Sequence, residues 1–131
     1  MDKIKHTQEW VKQAQYDIET AQVMLESSRY IYCVFMCHLS IEKALKALYV
    51  NNLNENPPKV HNLLYLAQNA NLKLPLPMRE FLENLNEVSI STRYPEELQK
   101  LLKEYGKERV KIILDKSREV LKWLKKELKK Q

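Results

Sequence analysis

Three residues near expected helix ends have the chemistry of phosphate and base recognition. His61 follows a double proline, and Arg93 and Tyr94 stand immediately before Pro95. A guanidinium matches the geometry of phosphate oxygens, and a phenol can stack on a base. Because proline clashes with a helical residue before it, we expect Arg93 and Tyr94 to be extended just beyond a helix end. Each has a plain alternative: His61 could be a surface or capping residue, and Arg93 could hydrogen-bond the last carbonyls of a helix.

A polar stripe on an otherwise apolar segment is the second candidate feature. His38, Glu42 and Lys46 follow one another at intervals of four residues within the stretch 30–50. Residues four apart are neighbours on a helix surface, so a helix here would stack the three side chains on one face. The alternative is a Glu42–Lys46 pair on a solvated edge, which would contribute about 0.3 kcal/mol and imply no function.

Several other kinds of site are disfavoured by the residues present. Cys33, Cys37 and His38 lack the fourth ligand and the second Cys or His pair that a zinc site needs, so we expect buried structural thiols and no metal. The only glycine is Gly106, and no serine is flanked by glycine. The familiar phosphate-loop and serine-hydrolase signatures are therefore excluded, and no cofactor is expected.

Composition predicts one helical domain. The 131 residues are 44% hydrophobic and 30% charged, with a single glycine, which suits a polar-surfaced helical protein and not a β protein rich in turns. The net charge of +5 comes largely from a lysine-rich tail at about 122–131. This excess permits an anionic partner without requiring one, and the alternative is a solvated helix end whose lysines complement the helix dipole.

The expected location is the reducing cytoplasm. No secretory segment precedes Cys33 and Cys37, and thiols four residues apart on a helix are poorly placed for an unstrained disulfide. No apolar run approaches the roughly 20 residues of a membrane span, so no membrane association is expected.

Apolar periodicity and helix breakers predict the elements that position these residues. Gly106 favours a last helix that starts near Lys107 over one running unbroken from Glu96, because an interior glycine costs about 1 kcal/mol. The stretch 30–50 is apolar almost all round, as expected of a central helix. Five helices in an up-and-down antiparallel bundle, an all-α fold, are predicted at about 4–28, 30–50, 60–70, 77–91 and 107–128.

Four motifs in this order resemble the HEPN family, named for higher eukaryotes and prokaryotes nucleotide-binding. Their order and spacing agree with the family over nearly the whole chain, and only the lysine-rich tail lies outside a recognisable motif. The motifs are Ala14-Gln-Tyr-Asp-Ile18, Ser40-Ile-Glu-Lys-Ala-Leu-Lys-Ala-Leu48, His61-Asn-Leu63 and Thr92-Arg-Tyr-Pro95.

The resemblance implies a helical bundle that pairs into a homodimer and has a groove for a nucleotide or RNA. It also implies a minimal nucleotidyltransferase as partner, in a two-component system that is often of the toxin–antitoxin kind. Lys46 and Arg93 would contact phosphate, and Tyr94 would be a stacking or positioning group. Asp17 and Glu42 would orient these residues. The implied nucleotide-binding residues are Asp17, Glu42, Lys46, His61, Arg93 and Tyr94.

One departure from the family bears on catalysis. HEPN ribonucleases resemble each other in an arginine and a following histidine with four to six residues between them, a pair suited to phosphate stabilisation and proton transfer. All three histidines here precede residue 62, and no arginine has such a partner. We therefore expect a binding module. One alternative is a metal-independent endoribonuclease toxin using His61 and Arg93, and another is a dimeric interaction bundle that binds no ligand.

Overall fold

The structure, a computed structural model, describes residues 1–130. All of its regular secondary structure within that range is helical. The six helices are α1 (Lys3–Glu26), α2 (Tyr30–Leu53), α3 (Leu63–Asn69), α4 (Leu76–Ser91), α5 (Pro95–Glu104) and α6 (Lys107–Lys129). The predicted all-α bundle is confirmed. The lysine-rich tail continues α6, and its last residue, Gln131, lies outside the described residues.

The structure has six helices where about five were expected, because α5 was not predicted. Pro95 occupies its first turn, where the missing N–H costs nothing and the fixed φ suits a helix. Glu96 and Glu97 in that first turn, and Lys103 in the last, complement the helix dipole. Gly106 separates α5 from α6 as the residue that caps α6, so the predicted start near Lys107 is confirmed.

Three polar residues adopt the left-handed backbone conformation that glycine usually adopts at the ends of helices. Ser28, Asn54 and Asn71 follow α1, α2 and α3 with φ of 62°, 53° and 62°. This left-handed conformation lets the chain leave a helix while backbone N–H groups still bond its last carbonyls. The N–H of Arg29, for example, donates to Met24 O at 2.8 Å. A chain with one glycine can thus still make short connections between helices.

Helix α2 is the central element, as predicted. It packs against α1, α3, α4, α5 and α6. Its most extensive contact is with α1, where the small residues Ala14 and Ala21 are fully buried and allow the two helices to approach closely. At this contact the buried Ser40 hydroxyl donates to Ala14 O at 2.6 Å. The close packing holds the polar face of α2 in a defined place relative to α1.

Helix α6 lies antiparallel to α1. Arg118 donates to Gln22 Oε1 and Lys125 donates to Gln15 Oε1, each at 2.8 Å. The later residue of α6 thus pairs with the earlier residue of α1, as in antiparallel helices. Val110, Leu114 and Leu124 are fully buried on one face of α6. Within residues 1–130, every helix is too short or too polar to span a bilayer.

Candidate functional site

The carboxylate of Glu42 is the centre of a polar cluster on α2. Lys46 Nζ donates to Glu42 Oε2 at 3.0 Å, and His61 Nδ1 lies 3.1 Å from both carboxylate oxygens. His38 Nδ1 is 3.9 Å from Oε1, beyond hydrogen-bonding distance. The structure therefore brings the predicted polar stripe together with His61, which is distant in the sequence. These four residues are called the Glu42 cluster below.

The Glu42 cluster differs from an ordinary surface ion pair because most of its side chains are buried. His38, Glu42 and Lys46 are 5%, 4% and 7% exposed, so the alternative of a solvated edge is wrong. Charged side chains are rarely this buried unless they are paired. His61 differs, because its side chain is 63% exposed and only Nδ1 is held by the carboxylate. Glu42 thus connects a buried ammonium to an imidazole that solvent and ligands can reach.

The segment that delivers His61 is anchored on both sides. Asn62 caps α3 by accepting a hydrogen bond from Tyr65 N at 3.1 Å, and Leu63 is fully buried in the core. Asn62 also accepts from Asn86 Nδ2 of α4 at 3.1 Å. The His61-Asn-Leu63 motif therefore has a structural explanation for two of its members, which leaves His61 as the residue that faces outward.

Asn86 on α4 organises the cluster, and the sequence analysis missed it. Its side-chain oxygen accepts from Leu63 N at 3.0 Å and lies 3.1 Å from His38 Nε2. A signal was present, since Asn86 stands four residues after Leu82 and next to Leu85, on the buried face of α4. A half-buried amide in an apolar stripe requires hydrogen-bond partners, and here the partners come from two other elements.

His38 is held neutral by its surroundings. Burial is the main cause that lowers its pKa, while the hydrogen bond to Asn86 and the charge of Glu42 act in the opposite direction. The neighbouring His61 and Arg93 lower the pKa of His38 further. Because the Asn86 oxygen only accepts, His38 carries its proton on Nε2 and donates it there. His38 thus serves as a neutral donor that ties α2 to α4.

Arg93 lines a cleft with Ile31 and Phe35, which stand seven and three residues before His38 on one face of α2, so it lies toward the first turns of the helix that carries the Glu42 cluster. Its conformation differs from the prediction. Its N–H donates to Ile90 O at 3.1 Å, so Arg93 belongs to the turn that closes α4 and is not extended. The restriction imposed by Pro95 acts only on Tyr94, whose φ of −114° and ψ of 125° are extended as predicted.

Arg93 and Tyr94 are both exposed. Within residues 1–130 the guanidinium of Arg93 makes no ion pair. Tyr94 is 60% exposed, and its hydroxyl makes no hydrogen bond to the described part of the protein. Arg93 lines a cleft with Ile31, Phe35 and other apolar residues of α2. The geometry therefore leaves the guanidinium available, whereas it does not bring Tyr94 into the Glu42 cluster.

Asp17 occupies a different place from the one expected. The resemblance made it an orienting partner for Lys46 or Arg93, but its Oδ2 lies 2.8 Å from Nζ of Lys43. Lys43 follows Glu42 on α2 and points toward α1, about 100° around the helix from the cluster. The buried Asp17 thus joins α1 to α2, and this second ion pair was not predicted because Lys43 was not singled out.

Trp10 on α1 is a further neighbour that the sequence analysis missed. The Lys46 ammonium lies 5.6 Å from the centroid of its indole ring, within the range of a cation–π contact. Trp10 precedes the buried Ala14 by four residues, so its position on the inner face of α1 could have been read from the periodicity. Lys46 thus lies between a carboxylate and an aromatic ring.

The other candidate groups are not arranged for metal or thiol chemistry. Among residues 1–130, no three His, Cys, Asp or Glu side chains are placed to hold a metal ion. Cys33 and Cys37 are free and buried. The hydrogen bond to Cys37, followed by burial, raises the pKa of Cys33, which keeps that thiol protonated and unreactive.

Comparison with known proteins assigns the helical bundle to a class. The HEPN domain model matches residues 7–128, and the chain therefore belongs to the HEPN family. The resemblance inferred from the four motifs is confirmed, together with its general implication of a nucleotide- or RNA-related module.

A solved structure shows the same fold. The crystal structure of TT1696 from Thermus thermophilus is similar to this chain with a TM-score of 0.78 and 22% sequence identity. The similarity covers 92% of this chain and 97% of TT1696. At this identity the likeness is one of fold. A comparison with curated proteins gives no match.

Proposed function

We propose that this chain is a single-domain HEPN module that binds a nucleotide or RNA in the cytoplasm. The observation that carries the proposal is the arrangement around Glu42, whose buried carboxylate holds Lys46 and His61, together with the exposed guanidinium of Arg93, which lines a cleft with residues of the same helix α2. Such a group of donors suits an anionic ligand rich in oxygen acceptors.

Each residue has a distinct role in this proposal. Glu42 accepts from His61 Nδ1, which fixes the ring and leaves Nε2 as the atom that contacts the ligand. Arg93 offers a fork of N–H donors to phosphate oxygens. Lys46 adds a positive charge at the inner end of the site, and Tyr94 could stack from the extended corner before Pro95. Asp17 supports the site only indirectly, by fixing α1 against α2 through Lys43.

Substitution of Arg93 tests the binding site. Arg93→Ala should abolish binding of a mononucleotide or a short single-stranded RNA in calorimetry and leave the melting temperature unchanged, since the guanidinium makes no ion pair within residues 1–130. Arg79→Ala, which removes an exposed arginine elsewhere on the bundle, is the matched control and should bind like the wild type. Wild-type binding by the Arg93 variant would contradict the proposal, and a large loss of stability would make Arg93 a structural residue.

The proposal includes a minimal nucleotidyltransferase as the partner protein, in a two-component system of the toxin–antitoxin kind. Its support is the family to which the chain belongs. The neighbouring reading frame should encode such an enzyme, and the two proteins should copurify when they are expressed together. The proposed partner would be contradicted if the neighbouring reading frame encodes no nucleotidyltransferase and a coexpressed nucleotidyltransferase does not copurify with the chain.

A second candidate function, a metal-independent endoribonuclease, is favoured by the Glu42–His61 pair. A carboxylate that holds one imidazole nitrogen while the other faces outward is the geometry of a general base. The purified protein should then cut RNA in the presence of a chelator, and His61→Ala should not. The control is Tyr16→Ala, because Tyr16 is 72% exposed on α1 and lies outside the Glu42 cluster and the clefts beside it. Equal cutting by the His61 variant would exclude this mechanism.

We also propose that the protein forms a homodimer. An apolar cleft of about 430 Å³ lies between the start of α2 and the start of α5, lined by Ile31, Tyr32, Phe35, Met36 and Leu98 beside Arg93. Tyr32 in this cleft is 56% exposed. A second copy covering this face would remove apolar surface from water, which favours association. If the dimer were the whole function, no nucleotide would raise the melting temperature at millimolar concentration.

A further inference from the structure

A second cleft adjoins the Glu42 cluster on the side of α1. It has a volume of about 430 Å³ and lies between the first turns of α1 and the connection that follows α2. The residues of its wall that matter here are His6, Trp10, Lys46, Pro57, Pro58 and Lys59. The volume is within the range of about 300 to 1,000 Å³ that is typical of small-molecule sites.

Lys46 belongs to both the cleft and the Glu42 cluster. Its side chain is nearly buried, with the ammonium 3.0 Å from Glu42 Oε2 and 5.6 Å from the centroid of Trp10. A ligand in the cleft would therefore contact the same ammonium that Glu42 holds from the other side. The cleft is thus continuous with the proposed binding site and extends it toward α1.

The wall of the cleft combines flat apolar surfaces with positive charge. Trp10 and the two prolines are half-buried, so each offers part of its surface to an occupant. Lys59 supplies an exposed positive charge, Lys46 supplies a second one that is paired with Glu42, and Glu9 contributes a carboxylate to the wall. A planar aromatic ring that carries an anionic group matches both properties, because aromatic rings stack on indole and ammonium groups attract phosphate.

We propose that this cleft is a nucleobase subsite, in which a base stacks on Trp10 and its phosphate lies toward Lys46 and Lys59. The inference rests on the proposed function and adds the place of the base, which the Glu42 cluster does not provide. The base could belong to a free nucleotide or to an unpaired nucleotide of an RNA strand. The chemistry recognised is the same for both.

Tryptophan fluorescence tests the subsite directly, because the chain has two tryptophans. Trp123→Phe leaves Trp10 as the only tryptophan, and its emission should be quenched when AMP, GMP, CMP, UMP or a single-stranded RNA hexamer is added. Trp10→Phe leaves only Trp123, a residue of α6 packed on the core, and its emission should not change. Quenching by mononucleotides identifies a free nucleotide as the ligand, and quenching by the hexamer alone identifies RNA.

Affinity gives a second measurement. Trp10→Ala should weaken binding about tenfold or more in calorimetry, the loss expected when one stacking ring is removed. Trp10→Phe keeps an aromatic ring and should bind within about threefold of the wild type. Tyr16→Ala removes a 72% exposed aromatic residue of α1 outside the cleft and should bind as the wild type does. Melting temperatures of all variants show whether a loss of binding comes from unfolding.

The outcomes separate this inference from the function on which it rests. Wild-type binding with no quenching of Trp10, and an unchanged affinity in Trp10→Ala, would overturn the subsite and leave the nucleotide- or RNA-binding function standing. If Trp10→Ala unfolds, the fluorescence of the Trp123→Phe protein decides alone. Failure of the wild type to bind any mononucleotide or the hexamer would overturn both.

Discussion

At the scale of single residues, Glu42 determines what its neighbours can do. Its carboxylate holds a buried lysine on its own helix and an exposed histidine from another segment. The buried ion pair is costly to break, because removal of one partner leaves the other charge unpaired in a poorly solvated place. Conversely, the exposed Arg93 can be changed without affecting the fold, which makes it the better test of binding.

Comparison of a single and a double variant tests the Glu42–Lys46 interaction. Glu42→Gln should lower the free energy of unfolding by about 3 kcal/mol, because the Lys46 ammonium loses its partner. Glu42→Gln combined with Lys46→Met should be less destabilised than Glu42→Gln alone, since no unpaired buried charge remains. Urea unfolding at neutral pH gives both values, with Glu87→Gln on an exposed face as the control. A double variant that is less stable than the single one would contradict the argument.

His38 makes stability depend on pH. In the unfolded chain its imidazole takes a proton near pH 6.5, whereas burial lowers its pKa in the folded state. The unfolded state therefore binds more protons as pH falls below about 6.5, and the free energy of unfolding decreases until pH passes the folded pKa. At pH 5.5 this loss can be no more than about 1.4 kcal/mol.

Urea unfolding of wild type and His38→Gln at pH 7.5 and 5.5 isolates this contribution. The variant should lose less stability than the wild type as pH is lowered, because it lacks the titrating group. His6→Gln changes an exposed histidine and should keep the wild-type pH dependence. Parallel pH profiles for wild type and His38→Gln would show that His38 is not the cause.

At the scale of elements, the site depends on a junction of α2, α4 and the start of α3. Asn86 joins all three by accepting from Leu63 N, bonding His38 and donating to Asn62. His61 is thereby held next to Glu42 although its own segment, between Asn54 and Leu63, has no helix. The position of the exposed imidazole is thus set by residues that do not contact the ligand.

Asn86→Ala should test this junction. It leaves the Leu63 N–H and the His38 Nε2–H without their acceptor, so the free energy of unfolding should fall by about 2 kcal/mol. Amide hydrogen exchange should become faster in residues 62–66 than in α1. Asn84→Ala, two residues away on an exposed position of the same helix, should change stability by less than about 0.5 kcal/mol. Equal effects of the two variants would contradict a special role for Asn86.

At the scale of the whole molecule, two clefts flank the Glu42 cluster. The Trp10 cleft has a mixed apolar and cationic wall, and the cleft between α2 and α5 is mainly apolar. Different occupants are expected for walls of such different chemistry. A nucleotide suits the former, and a second copy of the chain suits the latter, whose wall includes Arg93.

The proposed dimer can be tested by light scattering. The wild type at micromolar concentration should have twice the mass of one chain. Tyr32→Glu places a charge in the apolar cleft and should give a monomer, because burial of an unpaired carboxylate opposes association. Tyr16→Glu, at an exposed position of α1, should remain dimeric. A monomeric wild type would overturn the dimer, and a dimeric Tyr32→Glu protein would move its interface elsewhere.

Much of the architecture was readable from local pattern. Apolar periodicity, prolines and Gly106 determined five of the helices, the central place of α2 and the break before α6, because these features act on the backbone within a few residues. The short α5 was overlooked although Pro95, Glu96 and Glu97 are a regular helix start. The motif resemblance identified the family, and three of the named residues, Glu42, Lys46 and His61, lie together in the Glu42 cluster.

What only the tertiary structure decided is which side chains are buried and which partners they meet. The sequence alone could not show that Glu42 and Lys46 are removed from water, that Asp17 pairs with Lys43, or that Asn86 and Trp10 complete the surroundings of the site. The physical reason is distance along the chain. Spacing within one helix determines which residues share a face, but burial and hydrogen bonds between elements depend on how the helices pack.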